Sequence, residues 1–386
     1  MHKVGVPFPA LSETARAVLV DLLVHGPASR ADLARRAGLS PASLTRIIRT
    51  LADAGVVSES DAVSPQRMGR PSQPMDVNLD SAHFIGIKVS ADRLNLMSTD
   101  MRARPLQERV VPLTGTDPES VVATVADCVA DLSGADPLIS ALGISLAGPV
   151  SPRTETIRIS PFLGWRDVPF LAMVREATGL PVVAENDVRA LTAAEHWFGA
   201  AAGCTDFVLV TIGAGVGCGI VVNDRLVDGT DGGSGQIGHL PVSDWGPLCE
   251  RGHRGCVRSF LSSSSIAAQV SAALDRRVGF EDVLDLAERS HPVARRVVSD
   301  ACRALGMLIG TLVAVTAPSK VIVSGEGVGL AALDLDAVRT RAGEVRHWTA
   351  AEVPIELAPF TFGEWARGAA VIALRHQIDT AVRLEG

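Results

Sequence analysis

The stretch Gly235-Gln236-Ile237-Gly238-His239, followed by Cys249-Glu250-Arg251-Gly252-His253-Arg254-Gly255-Cys256, crowds a histidine and two cysteines into a glycine-rich loop. Imidazole nitrogen and thiolate sulfur are the usual ligands of structural zinc, so the segment reads as a metal knuckle. Such sites are four-coordinate and closed. His239, Cys249 and Cys256 supply three ligands; His253 is the residue that could swing in as a fourth. A second constellation is Glu185-Asn186-Asp187, just past the end of an apolar strand pattern. A carboxylate placed there can take a proton from a hydroxyl, and the Asn186 amide can orient a polyol. A helix cap accounts for the same Asn-Asp pair equally well. The third is Gly213-Ala214-Gly215-Val216-Gly217-Cys218-Gly219, whose alternate glycines let backbone N–H groups approach an anion. A tight hairpin with glycines at positive φ is the competing explanation. The pattern does not open a helix as G-x-G-x-x-G does, which disfavours a dinucleotide fold.

The elements that must hold these residues alternate between strand and helix. Residues 84–89, 94–98, 141–146, 181–184, 207–212, 218–222 and 320–324 read as strands. Asp117-Pro118 begins a helix, and further helices span residues 292–317 and 364–381. The expectation is an α/β body of two lobes, with a cleft built near residues 145–260.

The first eighty residues follow a different pattern. Val18, Leu19, Leu22 and Leu23 stripe one helix that ends near His25-Gly26-Pro27. Ser29 caps a second over residues 30–37, stopped by Gly38. Ser40 caps a third, with Pro41 at the first helical position. Leu44, Ile47, Ile48 and Leu51 form its inner face, while Ala42, Arg46 and Arg49, flanked by Ser43 and Thr45, form the outer one. With a strand over residues 55–59, this is the pattern of a winged helix-turn-helix. Ser40, Ser43, Thr45, Arg46 and Arg49 are the candidate DNA contacts, and Arg70 of Gly69-Arg70-Pro71 could enter a narrow minor groove. A small bundle with a solvated arginine face is the plainer alternative. Residues 29–50 hold five arginines against one acid, whereas the whole chain carries a net charge of −7. Positive charge is therefore concentrated on this head.

The 386 residues suffice for two or three domains: a head over 1–64, a linker with the Gly-Arg-Pro tip over 65–80, and a body over 81–386. No signal-peptide pattern or continuous apolar run of about 18 residues occurs, so a cytoplasmic chain without a membrane span is expected. Cys128, Cys204, Cys218 and Cys302 stand in apolar or glycine-rich contexts and read as buried thiols.

Over residues 10–386 the chain resembles the ROK family of repressors, open reading frames and kinases. The winged helix, residues 143–150, Gly164-Trp165, Glu185-Asn186-Asp187, the Gly213–Gly219 loop, the Gly235–His239 and Cys249–Cys256 segments and residues 323–327 carry the resemblance. It implies a winged helix-turn-helix followed by an actin- and hexokinase-like (ribonuclease H-like) body. It further implies Asp187 as the position of the kinases' catalytic base, Asn186 and His239 as sugar contacts, and His239 also as a zinc ligand. Gly148, Asn186, Asp187, Gln236, His239 and Arg258 are the ligand-binding candidates it places.

The departures from the family pattern carry the functional expectation. Family kinases open the body with an Asp and a Gly-Gly-Thr turn that hold Mg-ATP, where this chain has Lys88-Val89-Ser90-Ala91-Asp92-Arg93. Losing that clamp should abolish phosphoryl transfer, leaving Asp187 vestigial and no ATP bound. Gln236 and Arg258 replace two sugar-binding acids, and Arg251 stands at the position of a third cysteine. Arg258 brings a fork that matches carboxylate or phosphate. The expectation is a repressor, dimeric or tetrameric, binding double-stranded operator DNA and answering to a sugar or sugar phosphate. An ATP-dependent sugar kinase with a DNA-binding head, and a body serving only to dimerise, are the alternatives.

Overall fold

Ser12, Ser29 and Ser40 each start a helix for one reason: the hydroxyl accepts the N–H three residues on, which has no carbonyl partner inside the helix. The helices are α1 (Glu13–His25), α2 (Arg30–Arg36) and α3 (Pro41–Asp53). Gly26 and Gly38 follow the first two at positive φ, 80° and 65°, backbone that a residue with a Cβ rarely adopts. Strands β1 (Val57–Glu59) and β2 (Met75–Val77) pair antiparallel as a wing. The computed structural model describes residues 8–60, 73–151, 155–229 and 233–382. The Gly69-Arg70-Pro71 tip, and with it the assignment of Arg70 as a DNA contact, lies outside them.

The body opens with β3 (His83–Val89), β4 (Arg93–Thr99), β5 (Pro105–Pro112), α4 (Pro118–Ala135) and β6 (Ile139–Leu146). A small sheet of β7 (Val150–Ser151), β8 (Thr156–Ser160) and β9 (Trp165–Val168) comes next, then α5 (Phe170–Thr178), β10 (Val182–Asn186) and α6 (Asp187–Phe198). The main sheet runs β10-β6-β3-β4-β5, with β10, β6 and β3 parallel and the remaining pairs antiparallel. This lobe, the winged helix and the C-terminal helix form one compact unit, residues 1–203 with 363–386.

Residues 204–362 form the second unit. It contains β11 (Phe207–Ile212), β12 (Val216–Val222), β13 (Arg225–Leu226), α7 (Val257–Leu261), α8 (Ser263–Leu274), α9 (Phe280–Glu288) and α10 (Pro292–Thr316). β14 (Lys320–Ser324), α11 (Val328–Leu333), α12 (Leu335–Val345) and β15 (Ile355–Leu357) complete it. Its sheet, β13-β12-β11-β14-β15, repeats the strand order of the first, as a duplicated ribonuclease H-like body requires. Helix α10 is apolar enough by length and composition to cross a membrane, but 56% of that stretch is buried and it packs on α12, α9, α8 and α7. Burial pushes the Cys218 and Cys302 thiols up to about 12, while Cys204 is only half-buried.

The last helix, α13 (Gly363–Ala381), returns to the first unit and lies directly on its sheet. Side chains on β3 and β6 would prevent this. A Cβ on Gly86 would stand 1.8 Å from the Ala366 carbonyl oxygen, and one on Gly143 1.7 Å from that of Ala369. Gly143→Ala is expected to destabilise by about 1–3 kcal/mol or more, since backbone cannot yield as a side chain can. Gly134→Ala, at an exposed helical site with nothing within 4 Å, should stabilise by about 0.5–1 kcal/mol. Urea titrations of both variants check this; equal shifts would refute the close-approach argument.

Candidate functional site

In the first unit, Asn186 ends β10 and caps α6. Its Oδ1 accepts from the N–H of Val188 at 3.0 Å and of Arg189 at 3.4 Å, and its Nδ2 donates to the Gly148 carbonyl at 3.4 Å. The cap is therefore present, and it uses most of the amide. Asp187 opens α6, where the helix dipole favours an acid. Its Oδ1 accepts from the Val188 N–H at 2.9 Å, and its Oδ2 lies 2.5 Å from the Lys88 ammonium. The two side chains are only 8% and 14% exposed, so this is a buried ion pair. Lys88 also lies 5.3 Å from the centre of the Trp365 ring, a cation–π distance. Trp365 is held in turn by the Ser145 hydroxyl, which donates to its carbonyl at 3.0 Å. Gly148 is required by packing: at φ 122° its Cβ would come within 2.0 Å of the Ile159 carbonyl.

In the second unit, the Gly213–Gly219 segment is the turn at residues 213–215 and the start of β12, which pairs with β11 in register from Ile212–Val216 outward. The competing hairpin explanation matches this turn, but none of Gly213, Gly215, Gly217 or Gly219 has positive φ, which corrects that part of the reading. Gly213 is small for another reason: its Cβ would lie 2.1 Å from Glu326 Oε2. A carboxylate rests against the turn that the family resemblance assigns to phosphate. Glu326 is brought there by Gly325, at φ 94° close against the Ile212 carbonyl.

The knuckle lies in the same unit. His239 Nδ1 is 3.1 Å from His253 Nδ1, 3.7 Å from Cys249 Sγ and 3.9 Å from Cys256 Sγ. All four ligand atoms lie within 4.8 Å of one another. Tetrahedral zinc, with bonds of about 2.0–2.3 Å, sets its ligand atoms roughly 3.3–3.8 Å apart, so these residues fit the ion. The expected incomplete set of three is corrected by His253. Backbone bonds from the Cys249 N–H to the His253 carbonyl (2.9 Å) and from the Gly252 N–H to the Cys249 carbonyl (2.9 Å) fold the loop back on itself. The Arg251 N–H donates to Cys249 Sγ at 3.4 Å, so Arg251 serves the knuckle through its backbone. Burial, then the neighbouring His253, hold His239 below the usual histidine range and favour the neutral, ligating form. Gln236 is exposed beside this loop. Arg258 is engaged through its Nε in an ion pair with Glu250, so the guanidinium expected to meet a ligand anion already has an acid beside it.

On the head, Leu44, Ile48 and Leu51 of α3 are buried, Ile47 is half-buried, and Thr45, Arg46 and Arg49 are exposed. Ser40 caps the helix and also bonds the Ser43 hydroxyl at 3.0 Å, and Thr45 Oγ1 donates to the Pro41 carbonyl at 2.8 Å. The positive charge is narrower than composition suggests. Arg30 pairs with Glu59, Arg35 with Asp32, Arg36 with Asp21 and Arg49 with Asp53. Among the described residues, no acid pairs with Arg46.

Arg102, in the turn between β4 and β5, ties the head to the lobe. Its guanidinium donates to the Leu22 carbonyl at 2.8 Å and the Leu23 carbonyl at 3.3 Å, at the end of α1, and to Asp76 of the wing. Arg16 pairs with Asp379 at 2.7 Å and the Leu11 N–H donates to the Ala381 carbonyl at 2.8 Å. Beneath them, Leu19, Leu22 and Leu51 of the head share one apolar cluster with Phe84, Met101, Trp197 and Ile378. No local pattern in the sequence marks Arg102, because its partners lie about 26 and 80 positions away.

A ROK family model matches residues 84–376 and a MarR family model residues 11–67. The chain is 26% identical over 315 residues to the DNA-binding transcriptional dual regulator NagC of Escherichia coli strain K12, covering 78% of this chain and 77% of the relative. It is 24% identical over 368 residues to the xylose repressor of Bacillus subtilis strain 168, covering 94% and 95%. A crystal structure of a ROK family transcriptional regulator, a homolog of the E. coli MLC protein, superposes with a TM-score of 0.81 at 23% identity, covering 96% of this chain and 98% of that one. A ROK family glucokinase from Streptomyces griseus, solved with glucose and AMPPNP, superposes with a TM-score of 0.65 at 26% identity, covering 76% and 100%.

Arg102→Met should lower the unfolding free energy by about 3 kcal/mol, because it orphans a largely buried carboxylate and two helix-end carbonyls. Arg16→Met, in a more exposed pair, should cost about 0–1 kcal/mol. Denaturant melts compare the two, and an Arg102→Met loss no larger than that of Arg16→Met would remove the latch.

Proposed function

The chain belongs to the ROK family, and from that premise we propose that it is a DNA-binding transcriptional regulator, most simply a repressor. Its body serves as a carbohydrate sensor and not as a kinase. One observation carries this reading: Lys88, where the kinases keep a metal-supporting acid, is locked in a buried pair with Asp187, the position of their base. Phosphoryl transfer works by positioning and by neutralising phosphate charge. With Lys88 against Asp187 and Glu326 against the Gly213 turn, both halves of that machinery are changed.

The head supplies the other half of the function. Helix α3 presents Arg46 and Thr45 to base edges and Arg49 to phosphate, with Ser40 and Ser43 near the start of the helix. Because head and lobe share one apolar cluster, strain from a ligand in the lobe reaches the head through packed side chains rather than a flexible linker. A dimer, or a tetramer built from dimers, placing two heads on half-sites a helical turn or a multiple apart fits this reading. So does a cytoplasmic location, as the named relatives are repressors and regulators.

Genomic fragments selected on the purified protein and eluted with sugars and sugar phosphates test the proposal. Sugar-dependent release or capture is expected, with no ADP formed from ATP on the same panel. Steady ADP release would overturn it in favour of the kinase reading. On a selected fragment, Arg46→Ala should weaken binding by about 1–3 kcal/mol.

His239, Cys249, His253 and Cys256 would hold a zinc ion, which supplies a cross-link to a loop short of apolar core. About one zinc per chain is expected by elemental analysis of protein purified without chelator or a histidine tag. Cys256→Ser should remove the metal and lower the melting temperature. Metal-free native protein of unchanged stability after zinc addition would discard the site.

A further inference from the structure

We propose that Lys88 is a ligand-contacting, specificity-determining residue, and that with Asp187 it selects an uncharged carbohydrate hydroxyl and rejects phosphorylated sugars. The proposal rests on the sensor reading above and narrows its ligand class.

Lys88 brings three N–H donors to β3, and its side chain is more than nine-tenths buried. Among the described residues, its hydrogen-bonding partner is Asp187 alone; the Trp365 ring faces the charge but accepts no conventional hydrogen bond. A buried ammonium short of acceptors is costly, and a ligand oxygen would relieve it. Asp187 has the complementary need. Oδ2 faces Lys88 and Oδ1 faces a backbone N–H, and each oxygen keeps a further lone pair.

The pair thus offers a donor and an acceptor 2.5 Å apart. A sugar hydroxyl, which donates one hydrogen and accepts on two lone pairs, can meet both at once. A phosphate dianion cannot: it lacks a hydrogen to give Asp187 and would bring like charge against it. The pair's own charge is balanced, so among the described residues a dianion at this point meets Lys88 only in competition with Asp187. Arg189, the next cation on α6, pairs with Glu185 at 3.0 Å. Lysine at position 88 therefore does more than delete a metal site; it installs a donor for a neutral ligand.

The test is calorimetry on the full chain with neutral pentoses, hexoses and N-acetylhexosamines, each hexose paired with its 6-phosphate. At least one neutral sugar should bind, with its phosphate roughly tenfold weaker or more. Lys88→Met should weaken that sugar by a similar factor. Because this variant leaves Asp187 buried without its cation, the double variant Lys88→Met/Asp187→Asn is measured beside it, with circular dichroism to establish folding. It should fold and fail to bind. A phosphate that binds more tightly than its parent sugar overturns the proposal, as does a folded Lys88 variant of undiminished affinity or a panel with no binder. If sugars bind as predicted but leave DNA affinity unchanged, the regulator reading fails while the role of Lys88 stands.

Discussion

The seating of α13 on the first sheet is the constraint on which the rest of this unit depends. Gly86 and Gly143 leave the helix backbone in contact with the backbones of β3 and β6. That approach sets Trp365 over Lys88 and its carbonyl at the Ser145 hydroxyl. At its other end, α13 carries Ile378 into the cluster under the winged helix and Asp379 to Arg16. One helix thus bounds the candidate ligand site and anchors the head.

Helix α6 spans the same interval. It begins at Asn186 and Asp187, and Trp197 near its end enters the cluster shared with the head, its ring faced by Arg375 at 4.9 Å. A ligand that moves the Lys88–Asp187 pair therefore acts on the first turn of a helix whose last turn supports α1. The coupling needs no long-range wire, because a helix of 12 residues transmits displacement as a nearly rigid body.

Much of this was legible in the linear chain. Serine caps before Arg30 and Pro41, the glycine stop at Gly38 and the apolar stripe of α3 are local signals, and the helices follow them closely. Strands Phe207–Ile212 and Lys320–Ser324 lie where their apolar runs place them. The small β7–β9 sheet is harder to see, being short and partly exposed. Strand β5 is exposed along most of its length, so it carries no apolar run. The sites were legible by residue type but not by partner. Asp187 is identifiable, yet its pairing spans 99 positions to Lys88. Arg258 reads as a free fork until Glu250 is seen beside it.

By itself, the sequence determined the family, the helix-capping head, the ligand chemistry of the knuckle and the lysine at position 88, since each depends on residue identity and short spacing. Tertiary structure alone decided that His253 completes the four-ligand cluster, that Glu326 lies against the Gly213 turn, and that Arg102 binds head to lobe. It also decided that Lys88 meets Asp187. The physical reason is common to all of them. Desolvation and Coulomb energies depend on distances that only the folded chain sets, so a charge that looks available in sequence can be already spent in the fold.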